Sequence, residues 1–112
     1  MSFPVIKTGG VLLQDPAAAV EQIRRVASPP FAVVHGGGIE FTRMLERMNV
    51  TSKFVDGLRV TDAQTLEAAS AALLGEVHTG LVSALCRSGL LAVGMFGVVR
   101  ARKKQGPWGF VG

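Results

Sequence analysis

A single cysteine in 112 residues excludes an internal disulfide and any zinc site built from several cysteines. That residue, Cys86, lies in the helical context SALCRSG, where a lone thiol is expected to be buried packing. No uninterrupted apolar run reaches membrane-spanning length, and the opening MSFPVIKTGG lacks a charged segment leading into a long apolar one. Neither a membrane partner nor a signal peptide is therefore expected, and the cytoplasm is the expected compartment. Internal repeats, linkers and low-complexity tracts are also missing, so residues 1–112 read as one domain. Acids are scarce where bases are dense: residues 1–76 carry seven Lys/Arg and eight Asp/Glu, whereas residues 77–112 carry five bases and no acid. The excess lies in Arg87 and in RARKK (100–104). Such a cluster attracts phosphates. No aromatic residue is interleaved in it for base stacking, so a solvated strand or turn is expected there, with no nucleic-acid partner.

What the chain does have is apolar content, 48%, and glycine, 14 residues. The first is enough for a core; the second suggests tight turns or ligand loops. FPVIK (3–7) reads as a buried strand running into TGG. DPAAAVEQIRRVA (15–27) follows, with Asp15 as helix cap and Pro16 at the first helical position. Ser28-Pro29-Pro30 stops that helix, and FAVV (31–34) reads as a second buried strand ending in His35-Gly36-Gly37-Gly38. IEFTRMLERM (39–48) places Ile39, Met44, Leu45 and Met48 on one helical side. Strand, helix, strand, helix in this order predicts a parallel sheet with right-handed crossovers. KFVDGLRV (53–60) predicts a hairpin around Asp56-Gly57. A long helix is predicted over 61–89, opened by a Thr61/Gln64 capping box and closed by Gly89. LLAVGMFGVVRARKK (90–104) reads as two strands broken near Gly94 and Gly97, and WGFVG (108–112) as the start of another. Trp108 and Phe110 are expected in the core.

Two strands that each end in glycines suggest one chemistry. Ligands of parallel sheets bind beyond the strands' carboxyl ends. Bare N–H groups in a glycine turn, followed by a helix N-terminus, suit phosphate or carboxylate. Lys7 adds a full positive charge to that rim, and Arg59 in DGLRVTD can clamp a carboxylate bidentately. Neither turn is a common nucleotide fingerprint: G-x-G-x-x-G counted from Gly36 meets Phe41 where glycine is needed, and no G-x-x-x-x-G-K-[ST] occurs. The acids lack metal-ligand spacing, so no metal site is expected. No Ser–His–Asp arrangement is legible, and His35 and His78 are not expected to pair on a metal. His35 is expected to orient the glycine turn, and His78 to occupy a helix face.

VIKTGGVLL, VVHGGG, GLRVTD and LLAVGMFG, in this order and at these gaps, resemble the amino acid kinase superfamily and, within it, the N-acetylglutamate kinases. The resemblance covers nearly the whole chain. It implies an α/β fold, a three-layer αβα sandwich with a mostly parallel sheet. It also implies phosphorylation of the side-chain carboxylate of N-acetylglutamate by ATP with Mg2+, a step of arginine biosynthesis. Carried over by motif, Lys7 would stabilise the phosphoryl group in flight, Gly9 and Gly10 would line its path, Gly37 and Gly38 would donate N–H groups to the substrate, and Arg59 would hold its α-carboxylate. The long helix would pair subunits in a homodimer. A chain opening at the first strand, without the extra helix of arginine-inhibited members, implies no arginine feedback. Relatives are roughly twice as long, so this chain corresponds to an N-terminal, substrate-binding half. The ATP-binding half and a second catalytic lysine would be absent, and the isolated chain is expected to lack turnover. After AVGMFG the family's Ser-Gly-x-Asp-Gly-like turn is replaced, with Phe96 where serine is expected. Two other readings stay open: an inactive remnant that binds an acyl amino acid or dimerises, and a kinase for aminoadipate held on a carrier protein.

Overall fold

The computed structural model describes residues 2–112. Strands β1 (Val5–Thr8) and β2 (Ala32–His35) pair in parallel, Val5 opposite Ala32 through Thr8 opposite His35. A parallel pair needs a crossover, supplied by a 3-10 turn (Gly10–Gln14) and helix α1 (Pro16–Val26). The Asp15 carboxylate accepts the Ala18 amide at 3.1 Å and Pro16 opens the helix, as the local sequence requires. Helix α2 (Gly38–Arg47) follows β2 directly. Strands β3 (Phe54–Val55) and β4 (Leu58–Arg59) form the expected antiparallel hairpin. Asp56 (φ 51°) and Gly57 (φ 76°) both adopt left-handed backbone at its tip, the twist a two-residue hairpin needs.

Helix α3 (Ala63–Arg87) is continuous for 25 residues, with a π-helical stretch at Ser70–His78 between two α-helical ends. Its cap is Asp62, whose carboxylate accepts the Thr65 amide at 2.9 Å, in place of the expected Thr61. Thr61 is occupied elsewhere: its amide donates to Trp108 O at 2.8 Å and its carbonyl accepts Phe110 N–H at 2.7 Å. By length and composition α3 could cross a membrane, although no uninterrupted apolar run suggested it. One face of it packs into the core. Val77, Leu81, Ala84 and Leu85 join Leu13, Ala19, Val20 and Ile23 in one buried cluster.

Ile6 and Val33 pack on that cluster from one face of the sheet, while Val5, Lys7 and Val34 alternate onto the other and are exposed. The α/β class with a parallel sheet is thus as expected; among the described residues α1 and α3 form one helical layer over the β1–β2 sheet. The two strands expected over 90–104 do not form. This segment runs along α3, with Gly94 against His78 and Val82, and pairs with neither edge of the two-stranded β1–β2 sheet. Leu90 and Ala92 still pack against the core cluster, but Leu91, Val93 and Val99 are 105%, 84% and 84% exposed. The Cα radius of gyration, 15.4 Å, exceeds the value of about 13 Å for a compact domain of this length. The expected strand at 108–112 is reduced to one parallel bridge between Thr61 and Gly109.

The amide and hydroxyl of Thr65 stabilise the charged Asp62 carboxylate, with Lys53 adding to the effect against a small opposing desolvation, and hold its pKa below the usual range. A carboxyl depressed in the folded state stabilises above its unfolded pKa, and that stability is lost as pH falls through the folded value. Asp62→Ala is therefore expected to lower the melting temperature at neutral pH. The gap to wild type should close on acidification below the ordinary carboxylate range. Thermal unfolding followed by circular dichroism across pH checks this; a gap independent of pH contradicts it.

Candidate functional site

The in-register pairing of β1 and β2 carries both glycine runs to the same end of the sheet. The last rung is the Gly36 amide donating to Thr8 O at 3.0 Å, and a Cβ added at Gly36 would come within 4.0 Å of Gly9 Cα. The turns therefore touch. They are not equivalent. After Gly9 the chain enters the 3-10 turn at Gly10, and α1 begins only at Pro16 behind the Asp15 carboxylate, so the expected helix N-terminus does not reach the first glycine run. Gly37, in contrast, is itself the cap residue of α2, with φ 143°, and the first turn of α2 presents its amides there. Space around Gly9, Gly10 and Gly38 is open; nothing lies within 4 Å of where their Cβ atoms would be. Gly37 is the opposite: a Cβ there would meet Leu73 Cδ2 at 2.7 Å and Val77 Cγ2 at 3.0 Å, both from the π-helical stretch.

Arg59 is built into place. Its guanidinium lies 4.7 Å from the Phe41 ring centroid and 4.9 Å from that of Phe54, so aromatic faces hold it on two sides. Nη1 donates to Ser52 Oγ and Nη2 to Thr42 Oγ1 at 3.3 Å. Among the described residues the one ion pair is Arg25–Glu21, so Arg59 is a fixed cation without a carboxylate partner. Thr42 connects it to the glycine turn: Gly38, Ile39, Thr42, Arg43 and Glu46 line a shallow pocket of about 340 Å³ along α2. Lys7 does not line that pocket. It stands one residue before the end of β1, on the uncovered face of the sheet.

Three buried side-chain atoms lack a hydrogen-bond partner among the described residues: Thr8 Oγ1, Glu40 Oε2 and His78 Nε2. Thr8 directly precedes Gly9, Glu40 lies in the first turn of α2, and His78 touches His35. Unsatisfied buried polar groups cost about 1–3 kcal/mol each and are rare, so their gathering around the glycine turns marks this end of the sheet as a site. The histidine pair was not legible in the sequence. His35 Nδ1 lies 2.8 Å from Gly36 O, in keeping with its expected role at the turn, but its Nε2 lies 2.9 Å from His78 Nδ1. No sequence signal links residues 43 apart; only the crossover topology does. No group of three or more His, Cys, Asp or Glu converges among the described residues, so they supply no cage for the Mg2+ that accompanies ATP, which usually keeps phosphate and water ligands.

Other expectations need correction. Cys86 is exposed rather than buried, because it faces away from α1. The basic run has no aromatic residue inside it but folds onto aromatics that follow it. Lys103 Nζ lies 5.5 Å from the Phe110 centroid and Lys104 Nζ 4.6 Å from that of Trp108. Phe110 is exposed and Trp108 only half-buried, its Nε1 donating to Val55 O at 2.9 Å, so neither joins the core.

The profile described as amino acid kinase family matches residues 2–106. Acetylglutamate kinase of Acidobacterium capsulatum is 42% identical, over 96% of this chain and 46% of its own length. That of a Roseiflexus species is 43% identical, over 96% of this chain and 44% of its own. The crystal structure of smu.665 from Streptococcus mutans UA159 superposes with a TM-score of 0.65 at 34% identity, covering 78% of this chain and 37% of that one. The chain thus spans less than half the length of these relatives.

The contrast between the glycines is testable. Gly37→Ala combines a disfavoured backbone angle with overlap against Leu73 and should cost roughly 2–4 kcal/mol of stability. Gly38→Ala meets open space and should cost less than about 0.5 kcal/mol. Urea unfolding of both variants checks the difference; equal costs contradict the wedge beneath Gly37.

Proposed function

From the premise that this chain belongs to the amino acid kinase family, we propose that it forms the substrate-holding half of an acetylglutamate-kinase-type site. In that reaction the side-chain carboxylate of N-acetylglutamate attacks the γ-phosphorus of ATP. A carboxylate P–O bond forms, the β–γ bridging bond breaks, and ADP leaves. The carboxylate is already ionised at neutral pH, so no general base is needed and positioning with charge stabilisation suffices. The observation that carries this reading is the contact between the two glycine turns at one sheet end.

The residues divide the work as follows. Gly37 and Gly38 offer backbone N–H groups to the substrate at the N-terminus of α2. Arg59, fixed between Phe41 and Phe54 and without a counter-ion among the described residues, takes the substrate's α-carboxylate. Gly9 and Gly10 leave the phosphoryl path unobstructed. Lys7, exposed at the strand end, brings its ammonium to the transferring phosphoryl oxygens. ATP acts as substrate. A cytoplasmic address and a role in arginine biosynthesis accompany this reading.

The exposed apolar strip around Leu91, Val93 and Val99, with Leu66 and Leu74 exposed on α3, favours a second reading. In it the chain binds an acyl amino acid, or pairs with another chain, without turnover. The homodimer through α3 belongs to both readings, and sedimentation velocity should show two copies; a monomer at all concentrations contradicts it.

Calorimetry with N-acetyl-L-glutamate tests the substrate-holding role, and ADP release in the presence of ATP and Mg2+ tests turnover. Binding supports that role, turnover in addition supports the kinase reading over the module, and no binding removes both. Arg59→Ala should weaken binding about tenfold or more. Lys7→Ala should leave affinity within about threefold and abolish any turnover. Exchange of these two behaviours contradicts the assigned roles.

A further inference from the structure

We propose that His78 is a positioning residue that acts through His35 to aim the Gly37 amide at the substrate. The inference rests on the reading that the Gly37–Gly38 turn receives the substrate's negative charge. A carbonyl oxygen only accepts, so the 2.8 Å contact to Gly36 O places a proton on His35 Nδ1. In the neutral ring Nε2 is then bare and accepts the proton that His78 carries on Nδ1, at 2.9 Å. Each ring's tautomer thus fixes the other's. The same assignment leaves His78 Nε2 as a bare acceptor, which is the buried ring nitrogen without a partner among the described residues, lying against Gly94.

The consequence falls on one peptide plane. Gly36 C=O and Gly37 N–H belong to the same trans peptide and point in opposite directions. A carbonyl held against the His35 ring therefore sends the Gly37 N–H away from it. The Gly36 amide is bonded to Thr8 O at 3.0 Å, so the turn is held on both sides of Gly36. Without a Cβ at either residue this peptide would otherwise rotate with little resistance.

The π-helical stretch ties these contacts together. His78 is its last residue, and Leu73 and Val77, from the same stretch, close beneath Gly37. One segment of α3 therefore supports the glycine turn from below and delivers the imidazole that sets its orientation. Short π segments often occur where a helix has to present side chains to a functional site.

The test compares His78→Leu, which removes the Nδ1 donor, with His78→Asn, whose side-chain N–H2 reaches about the position of Nδ1. Long-range proton–nitrogen correlation on protein labelled with [15N]histidine reads the tautomers of the whole chain. Both rings should carry their proton on Nδ1, and His35 as the Nε2–H tautomer would overturn the proposal. His78→Leu should shift the Gly37 amide resonance and raise its exchange rate at unchanged fold, and weaken N-acetyl-L-glutamate binding about five- to tenfold. His78→Asn should restore both to within about threefold. An unmoved Gly37 amide in His78→Leu, or failure of His78→Asn to restore it, overturns the proposal. If wild type does not bind acetylglutamate, the substrate reading fails, while the tautomer and amide measurements still decide the role of His78.

Discussion

The hydrogen bond from Gly36 N–H to Thr8 C=O closes the parallel ladder one residue beyond the last strand pair. Most of what the site can do depends on it. A parallel register sends two successive strands out of the sheet at the same edge, whereas a hairpin would have sent them to opposite edges. Each strand then turns on glycine, and the absence of side chains lets the turns come into contact. A slip of one residue would turn His35 from the helix-covered face to the uncovered one and separate it from His78. The apolar alternation of Ile6 and Val33 into the core opposes that slip, so the ordinary packing of the sheet also sets the geometry of the site.

Cost and chemistry are concentrated in one place. Thr8, Glu40 and His78 bury polar atoms without partners among the described residues around the turns, and Gly37 takes a backbone angle that other residues avoid. Natural folds tolerate such features where function needs them and the surroundings hold them in place. Here the surroundings are the π-helical stretch of α3 and the cluster of Val20, Ile23, Leu81 and Leu85 beneath it. Arg59 follows the same logic on a neighbouring element. Two aromatic rings and two hydroxyls restrict the guanidinium before any ligand arrives, which reduces the entropy lost on binding.

What could be read in the sequence was local. Asp15-Pro16 starts a helix through its own carboxylate and fixed ring, and Asp56-Gly57 turns a hairpin through its own backbone freedom, so both were legible. The strand–helix–strand order gave the parallel pair, and with it the meeting of the glycine turns. Non-local choices were not legible. Thr61 and Asp62 can each cap the long helix; Asp62 does so because Trp108 and Phe110, nearly fifty residues on, engage the Thr61 backbone. The 90–104 segment has strand composition, but its path along α3 leaves it unpaired. The contact between His35 and His78 depends on how α3 crosses the sheet, and the exposure of Cys86 depends on which face of α3 meets α1. Motif order identified the family, but not the contacts that orient its backbone.

The central claim is that the two glycine turns form one binding site for negatively charged groups. The most direct measurement is a titration of the 15N-labelled chain with N-acetyl-L-glutamate, and then with ATP added, following every backbone amide. The account predicts that the Gly37 and Gly38 amides shift with the first ligand, and that Gly9 and Gly10 join them when both are present, each step saturating as one event. Shifts confined to the basic segment 100–104, or turns that titrate independently of each other, would contradict it.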